Sequence, residues 1–154
     1  MTEIYVTATG NVGAPAADVY RYIADYRQHH PHFLPPAFSD FRVEQGGIGA
    51  GTVVSFRVTA GGSTRAHRDV VAEPEPGRVL TESNDAGKLT TFTVTPAEGG
   101  SQVKIETRWP TVGVRGLVER LLAPRLLRAL FRDELARLDR YARQQQAIEA
   151  GVAA

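Results

Sequence analysis

The chain has 154 residues, no cysteine, and eighteen basic against seventeen acidic side chains, a net charge of +1. That length suits one domain with its own core, and the missing thiols exclude disulfide scaffolds, zinc knuckles, iron–sulfur sites and thiol catalysis. The balanced charge gives no electrostatic reason to expect nucleic acid or an anionic membrane as a partner.

Met1 to Val6 has neither the basic nor the apolar stretch of a signal peptide. No apolar run approaches the ~18 residues that span a bilayer. The expectation is therefore a cytoplasmic protein without stable membrane insertion. Lysine occurs only at Lys88 and Lys104 against many arginines, which reads as the coding bias of a G+C-rich bacterium.

Residues 3–9 alternate apolar and polar side chains, the period of a strand. Pro15 and Asp18 suit a first helical turn, and Val19, Tyr22, Ile23 and Tyr26 follow at helical spacing, so a helix is predicted over 15–25. A second short helix is predicted over 26–30, before Pro31; Pro35-Pro36 forbids helix beyond it. Six strands are then predicted near 39–46, 51–60, 64–73, 78–84, 88–96 and 101–109. They are separated by short Gly- or Pro-bearing links, the mark of antiparallel hairpins. After Trp109-Pro110 the pattern turns helical. Leu117, Leu121 and Leu122 lead to Pro124, where a break or kink is expected. Leu127, Phe131, Leu135, Leu138 and Ala142 then define one long amphipathic helix over 125–145. One domain over 1–145 is expected, with 146–154 as a frayed tail.

Strand register follows from putting each strand's apolar set on one face. Pairing Val43 with Val54 sets Phe41 opposite Phe56. A three-residue link at 61–63 then sets Val54 against Val70 and Phe56 against Arg68. Further along, Val70 meets Leu80, Arg68 meets Glu82, Leu80 meets Phe92, Glu82 meets Thr90, Phe92 meets Ile105, and Thr90 meets Thr107. A two-residue turn at Gly61-Gly62 would instead turn Arg65, His67 and Asp69 inward, the less favourable set to bury. The Arg68–Glu82 pair has two readings: a satisfied cross-strand ion pair, or the polar anchor of a ligand cavity.

The order of elements, Asp25-Tyr26 ending the first helix, Pro35-Pro36, the run GGIGAGT from Gly46 to Thr52, Trp109-Pro110 and Phe131-Arg132-Asp133-Glu134-Leu135 resemble the START-like or SRPBCC superfamily. The branch it looks most similar to is the bacterial polyketide cyclase/dehydrase and lipid transport group. The resemblance covers about 3–145. It implies an α+β helix-grip fold: a seven-stranded antiparallel sheet wrapped around a long C-terminal helix, two short helices after strand one, and a large apolar cavity. It also implies that the GGIGAGT and Pro35-Pro36 loops stand at the cavity mouth, as a gate or as plain connectors.

Other motifs carry less. The glycine run lacks a following Lys and opens a strand, so it is no phosphate loop. His29, His30 and His32 cluster, but Pro31 interrupts them and no acidic ligand joins them; a solvated helix end is expected, with no metal and no cofactor. His67 is expected on the surface. Arg115, Arg120, Arg125, Arg128 and Arg132, with Glu119 and Asp133, form the solvated face of the last helix. No G-x-S-x-G occurs.

The expected function is binding, with possible transport, of an apolar small molecule or lipid between sheet and helix. The site is assigned to Phe41, Phe56, Arg68, Glu82, Phe92, Ile105 and Trp109. The alternative is a polyketide cyclase or dehydratase acting in the same cavity, with Arg68 and Glu82 as acid–base groups. A cyclase needs several polar groups along its cavity, and this reading supplies only one charged pair and two threonines, so binding leads. An interaction module with a vestigial cavity is a third reading.

Overall fold

The structure, a computed structural model, describes the backbone of residues 2–111 and 113–153 and the side-chain surroundings of 3–111 and 122–151. The readings placed on Arg115, Leu117, Glu119, Arg120 and Leu121 concern side chains outside the described residues.

Strand β1 (Thr2–Val12) leads through Pro15 into α1 (Ala16–Ala24), whose Val19, Tyr22 and Ile23 are fully buried. A 3-10 turn at His30–Phe33 follows. The second short helix therefore lies later than predicted and contains Pro31 near its start, because the first helical positions have no intrahelical use for an N–H. Then come β2 (Phe38–Gln45), β3 (Val53–Ala60), β4 (Ser63–Glu75), β5 (Val79–Ser83), β6 (Leu89–Ala97), β7 (Gly100–Thr111) and α2 (Gly113–Ala153). The seven strands form one antiparallel sheet in the order β1-β7-β6-β5-β4-β3-β2. The fold is the helix-grip arrangement, with α2 across the concave face.

Phe131, Leu135, Leu138 and Ala142 are buried under that helix, with Leu127 partly so. The helix comes close over β1 because residue 10 is glycine: a Cβ there would stand 3.2 Å from Leu135 Cβ. Pro124 sits inside the helix without ending it, costing a backbone hydrogen bond and on the order of 3 kcal/mol. The stretch expected to fray is helical to Ala153. Gln146, Ala147, Glu149 and Ala150 are good helix formers, and long-range partners hold the stretch. Gln146 Nε2 donates to Asp18 Oδ2 and to the Tyr22 hydroxyl, both at 3.0 Å, and Arg21 pairs with Glu149 at 2.9 Å.

The register agrees with expectation across β5, β6 and β7 and at Val43, but a break between Ser39 and Arg42 removes the expected Phe41–Phe56 pair from the ladder. Val43 faces Val54, Leu80 faces Phe92, Glu82 faces Thr90, Phe92 faces Ile105 and Thr90 faces Thr107. Strand β4 is turned over relative to the prediction. Ala60 pairs with Ser63, a two-residue link in which Gly61 (φ 58°) and Gly62 (φ 81°) both take the left-handed conformation. That is the turn whose twist matches the flanking strands. Val54 therefore faces Asp69, Phe56 faces His67, and Val58 faces Arg65. Val70 points outward and Val71 is buried. An irregularity between Ala72 and Glu75 then reverses the parity again, pairing Val71 with Glu82 and returning β5 to its expected face.

Candidate functional site

The curved sheet and α2 leave two adjoining chambers. The inner one, about 100 Å³, lies between the 3-10 turn, the sheet centre and the middle of α2. The outer one, about 640 Å³, opens toward the β3–β4 hairpin, with Trp109 and Pro110 on one side and Gly61 and Leu126 on the other. Val58, His67, Lys88 and Leu127 line both and form the throat between them.

The inner chamber is walled by rings and carboxyl groups. Phe56 stacks on His67 (ring centroids 5.3 Å) and lies near Phe41 (6.4 Å). His30 stacks on Tyr26 at 4.4 Å and meets Phe92 edge-on at 5.8 Å. Its Nδ1 sits 2.7 Å from the Ile23 carbonyl, which only accepts, so Nδ1 carries the proton and Nε2 is left as an acceptor. Burial lowers the His30 pKa to about 4, so the ring is neutral near pH 7. Burial is also the main cause that lowers the pKa of His67.

Two carboxyl groups face this space. Glu82, from β5, accepts a hydrogen bond from the Tyr26 hydroxyl at 2.6 Å. Burial first, and then the Asp69 charge, push its pKa up to about 7, against the opposing effects of Tyr26 and Lys88. Glu134, from α2, is 3% exposed and has no hydrogen bond among the described residues. Burial and then the charge of Glu82 raise its pKa to about 8. The charge of Glu82, when it is ionised, helps hold the proton on Glu134. Close by, Lys88 Nζ donates to Asp69 Oδ2 at 2.8 Å, and this pair is internally neutral. Asp69 Oδ1 is buried without a partner. The Thr90 and Thr107 hydroxyls bond each other at 2.8 Å on the chamber wall.

Of the residues assigned from sequence, Phe41, Phe56, Glu82 and Phe92 line the inner chamber and Trp109 lines the outer one. Ile105 is buried in the core and lines neither chamber. Arg68 is not in the cavity. The turned-over β4 carries it to the convex face, where it pairs with Glu44 at 3.0 Å, so there is no Arg68–Glu82 pair. His67 and Asp69 point inward in its place. The expectation of a solvated histidine cluster fails for His30, which is buried, while His29 is tied to the Tyr141 hydroxyl at 2.6 Å.

The glycine-run loop is fixed in place and lines neither chamber. Gly47 O accepts from Tyr26 N at 2.8 Å, Gly49 N donates to Ala24 O at 2.9 Å, and Gly51 N donates to Val71 O at 2.9 Å. It braces the end of α1 against β4, so a connector describes it better than a gate. Glu134 was missed because an acidic residue on an amphipathic helix looks solvated in sequence. Its one signal was its place between Phe131, Leu135 and Leu138 on the apolar stripe.

The fold recurs in solved structures. The solution structure of the KanY protein is 28% identical, with a TM-score of 0.81 over 93% of this chain and 99% of that one. A protein of Thermus thermophilus, TTHA0849, is 19% identical, with a TM-score of 0.76 over 92% of this chain and 99% of its own. StfQ, a di-domain aromatase/cyclase of the steffimycin biosynthetic pathway, is 16% identical, with a TM-score of 0.72; this chain spans 94% of itself and 52% of StfQ. No curated protein sequence matches significantly. No helix among the described residues is long and apolar enough to cross a membrane. The sequence profile described as polyketide cyclase/dehydrase and lipid transport matches residues 3–143, and with the helix-grip fold around a lined cavity it places the chain in that family, within the SRPBCC group.

Proposed function

We propose that the protein binds an elongated, mainly apolar small molecule, its body in the outer chamber and one polar end passing the throat to the inner carboxyl groups. The observation that carries this reading is the pair of connected chambers: a roomy apolar outer space and a small inner one where polar side chains converge. Burial of the apolar body would supply the affinity, at about 25 cal/mol per Å², and the inner groups the orientation. Uptake of the neutral probe Nile red, with mass spectrometry of compounds extracted from the purified protein, tests it. Leu127 stands in the throat, so Leu127→Trp is expected to abolish probe uptake while leaving the fold intact by circular dichroism. Unchanged uptake in that variant, or no uptake by the parent protein, refutes the reading.

A second reading, that a bound β-hydroxy carbonyl compound is also dehydrated, is favoured by Glu82 and Glu134, two buried carboxyl groups with raised pKa values, facing one space. Ionised Glu82 would take the proton alpha to the carbonyl. Protonated Glu134 would give its proton to the departing hydroxyl, which leaves as water as the C=C bond forms. Turnover of a β-hydroxy thioester to its enoyl product, lost in both Glu82→Gln and Glu134→Gln, distinguishes catalysis from binding alone.

A further inference from the structure

The inner chamber holds two acids that have no ion-pair partner of their own. Its fixed cation, Lys88, is already bonded to Asp69, and that pair cancels. The histidines that face the space, His30 from the 3-10 turn and His67 from β4, have lowered pKa values and are neutral near pH 7. Tyr26 only donates its proton to Glu82. Asp133 lies next to Glu134 on α2 but is occupied by Arg137 at 3.1 Å. Two acids remain, one from the sheet and one from the helix; the Lys88 charge acts on Glu82, but neither acid is ion-paired among the described residues. Glu134 is the sharper case: 3% exposed, lining the chamber, and without a hydrogen bond. A buried polar group left unpaired in a native interior asks for a partner. Carboxyl groups lined by aromatic side chains are surroundings that favour an ammonium group, and Lys88 Nζ already lies over the Phe56 ring at 5.4 Å. Among the described residues no three His, Asp or Glu side chains stand together as metal ligands, whereas two carboxyl groups are acceptors that an ammonium group can use.

We infer that the inner chamber recognises a protonated primary amine at the polar end of the ligand, held between the Glu82 and Glu134 carboxylates with its apolar body in the outer chamber. This rests on the binding reading above and adds the chemistry of the ligand's head. It reverses the preference for carboxylates that an inward Arg68 would have given. An ammonium group carries three donors; Glu82 has one oxygen already taken by Tyr26, leaving the other for the ligand beside Glu134. Binding must drive off the protons that the empty site keeps on the carboxyl groups, so affinity for the amine rises with pH while the amine itself stays charged.

Isothermal titration with octylamine, 1-octanol and octanoate, which share one alkyl chain, tests this at about pH 6 and about pH 8.5, below and above the range where the buried carboxyls ionise. At the higher pH octylamine is expected to bind at least tenfold tighter than 1-octanol, and octanoate weakest. At the lower pH the amine's advantage should shrink. Near neutrality the heat should depend on buffer ionisation in the sense of proton release. Glu134→Gln should bring the amine-to-alcohol ratio to within about threefold, and Glu134→Asp should restore part of it. Glu82→Gln serves as the second variant should Glu134→Gln not fold. If 1-octanol binds as tightly as octylamine at both pH values, or the ratio survives both glutamine variants, the amine inference is overturned and the binding reading stands. If none of the three ligands binds and Nile red is not taken up, the binding reading fails, and the inference with it.

Discussion

Replacing Glu134 by glutamine should make the protein more stable, by an amount that depends on pH. The carboxyl group is buried and has no hydrogen-bond partner among the described residues, and its pKa is raised from 4.5 to about 8. Each pKa unit corresponds to about 1.4 kcal/mol, so holding the proton against solution across that interval costs roughly 4–5 kcal/mol. Below the unfolded-state value both states are protonated and the cost is absent. As pH rises from there toward the folded-state value, the unfolded chain ionises while the folded one keeps its proton. The folded state then binds more protons, and stability falls with pH until the folded group ionises as well. Glutamine keeps the size and hydrogen-bonding character of the neutral acid and has no proton to lose. Parent and variant should therefore match near pH 4 and diverge by several kcal/mol above about pH 8. That is a large share of a typical 5–15 kcal/mol stability. The chain has a single tryptophan, Trp109, so urea unfolding followed by its fluorescence at a series of pH values reads the difference directly. Parallel stability curves for the two proteins would refute the reasoning.

Two further substitutions probe the site and the register. Tyr26→Phe removes the hydrogen bond that favours ionised Glu82, so the Glu82 pKa should move above its value of about 7; a carboxyl carbon titration by NMR with no upward move would contradict this. Val70→Asp should change stability by no more than about 0.5 kcal/mol, because the side chain is on the convex face, while Val71→Asp buries an unpaired charge and should cost several kcal/mol. Thermal melts of the pair decide it, and greater damage from Val70→Asp would mean that the register of β4 is wrong.

The sequence carried the element order, the C-terminal helix with its stripe, and the pairing of β5, β6 and β7 in readable form. In each, local signals and global packing agree: Leu80, Phe92 and Ile105 alternate cleanly across short, well-marked turns. Strand β4 was misread because its pattern offers two faces of similar quality. One holds Val70, Arg68 and Ala66, the other Val71, Asp69 and His67. Hydrophobicity slightly favours the first; the twist of a two-glycine hairpin favours the second, and the turn decides. The cost of turning Asp69 inward is offset by Lys88, which lies in a distant segment and whose bond no local pattern announces. His30 was misjudged for a related reason. Its burial depends on Tyr26, Phe33 and Phe92 closing around it, a tertiary event, whereas proline and histidine neighbours suggested solvent.

The two-glycine turn that opens β4 and the break between Ala72 and Glu75 near its end allow this strand to change face while its neighbours keep theirs. Lengthening the hairpin tip by one residue, with the second irregularity absorbing the slip, would exchange His67 and Asp69 for Arg68 and Val70 on the cavity wall. Arg68 and an unpaired Lys88 would then stand against Glu82 and Glu134 with no substitution in the wall itself. Turn length at that tip thus decides whether β4 presents a carboxylate or a guanidinium to the cavity.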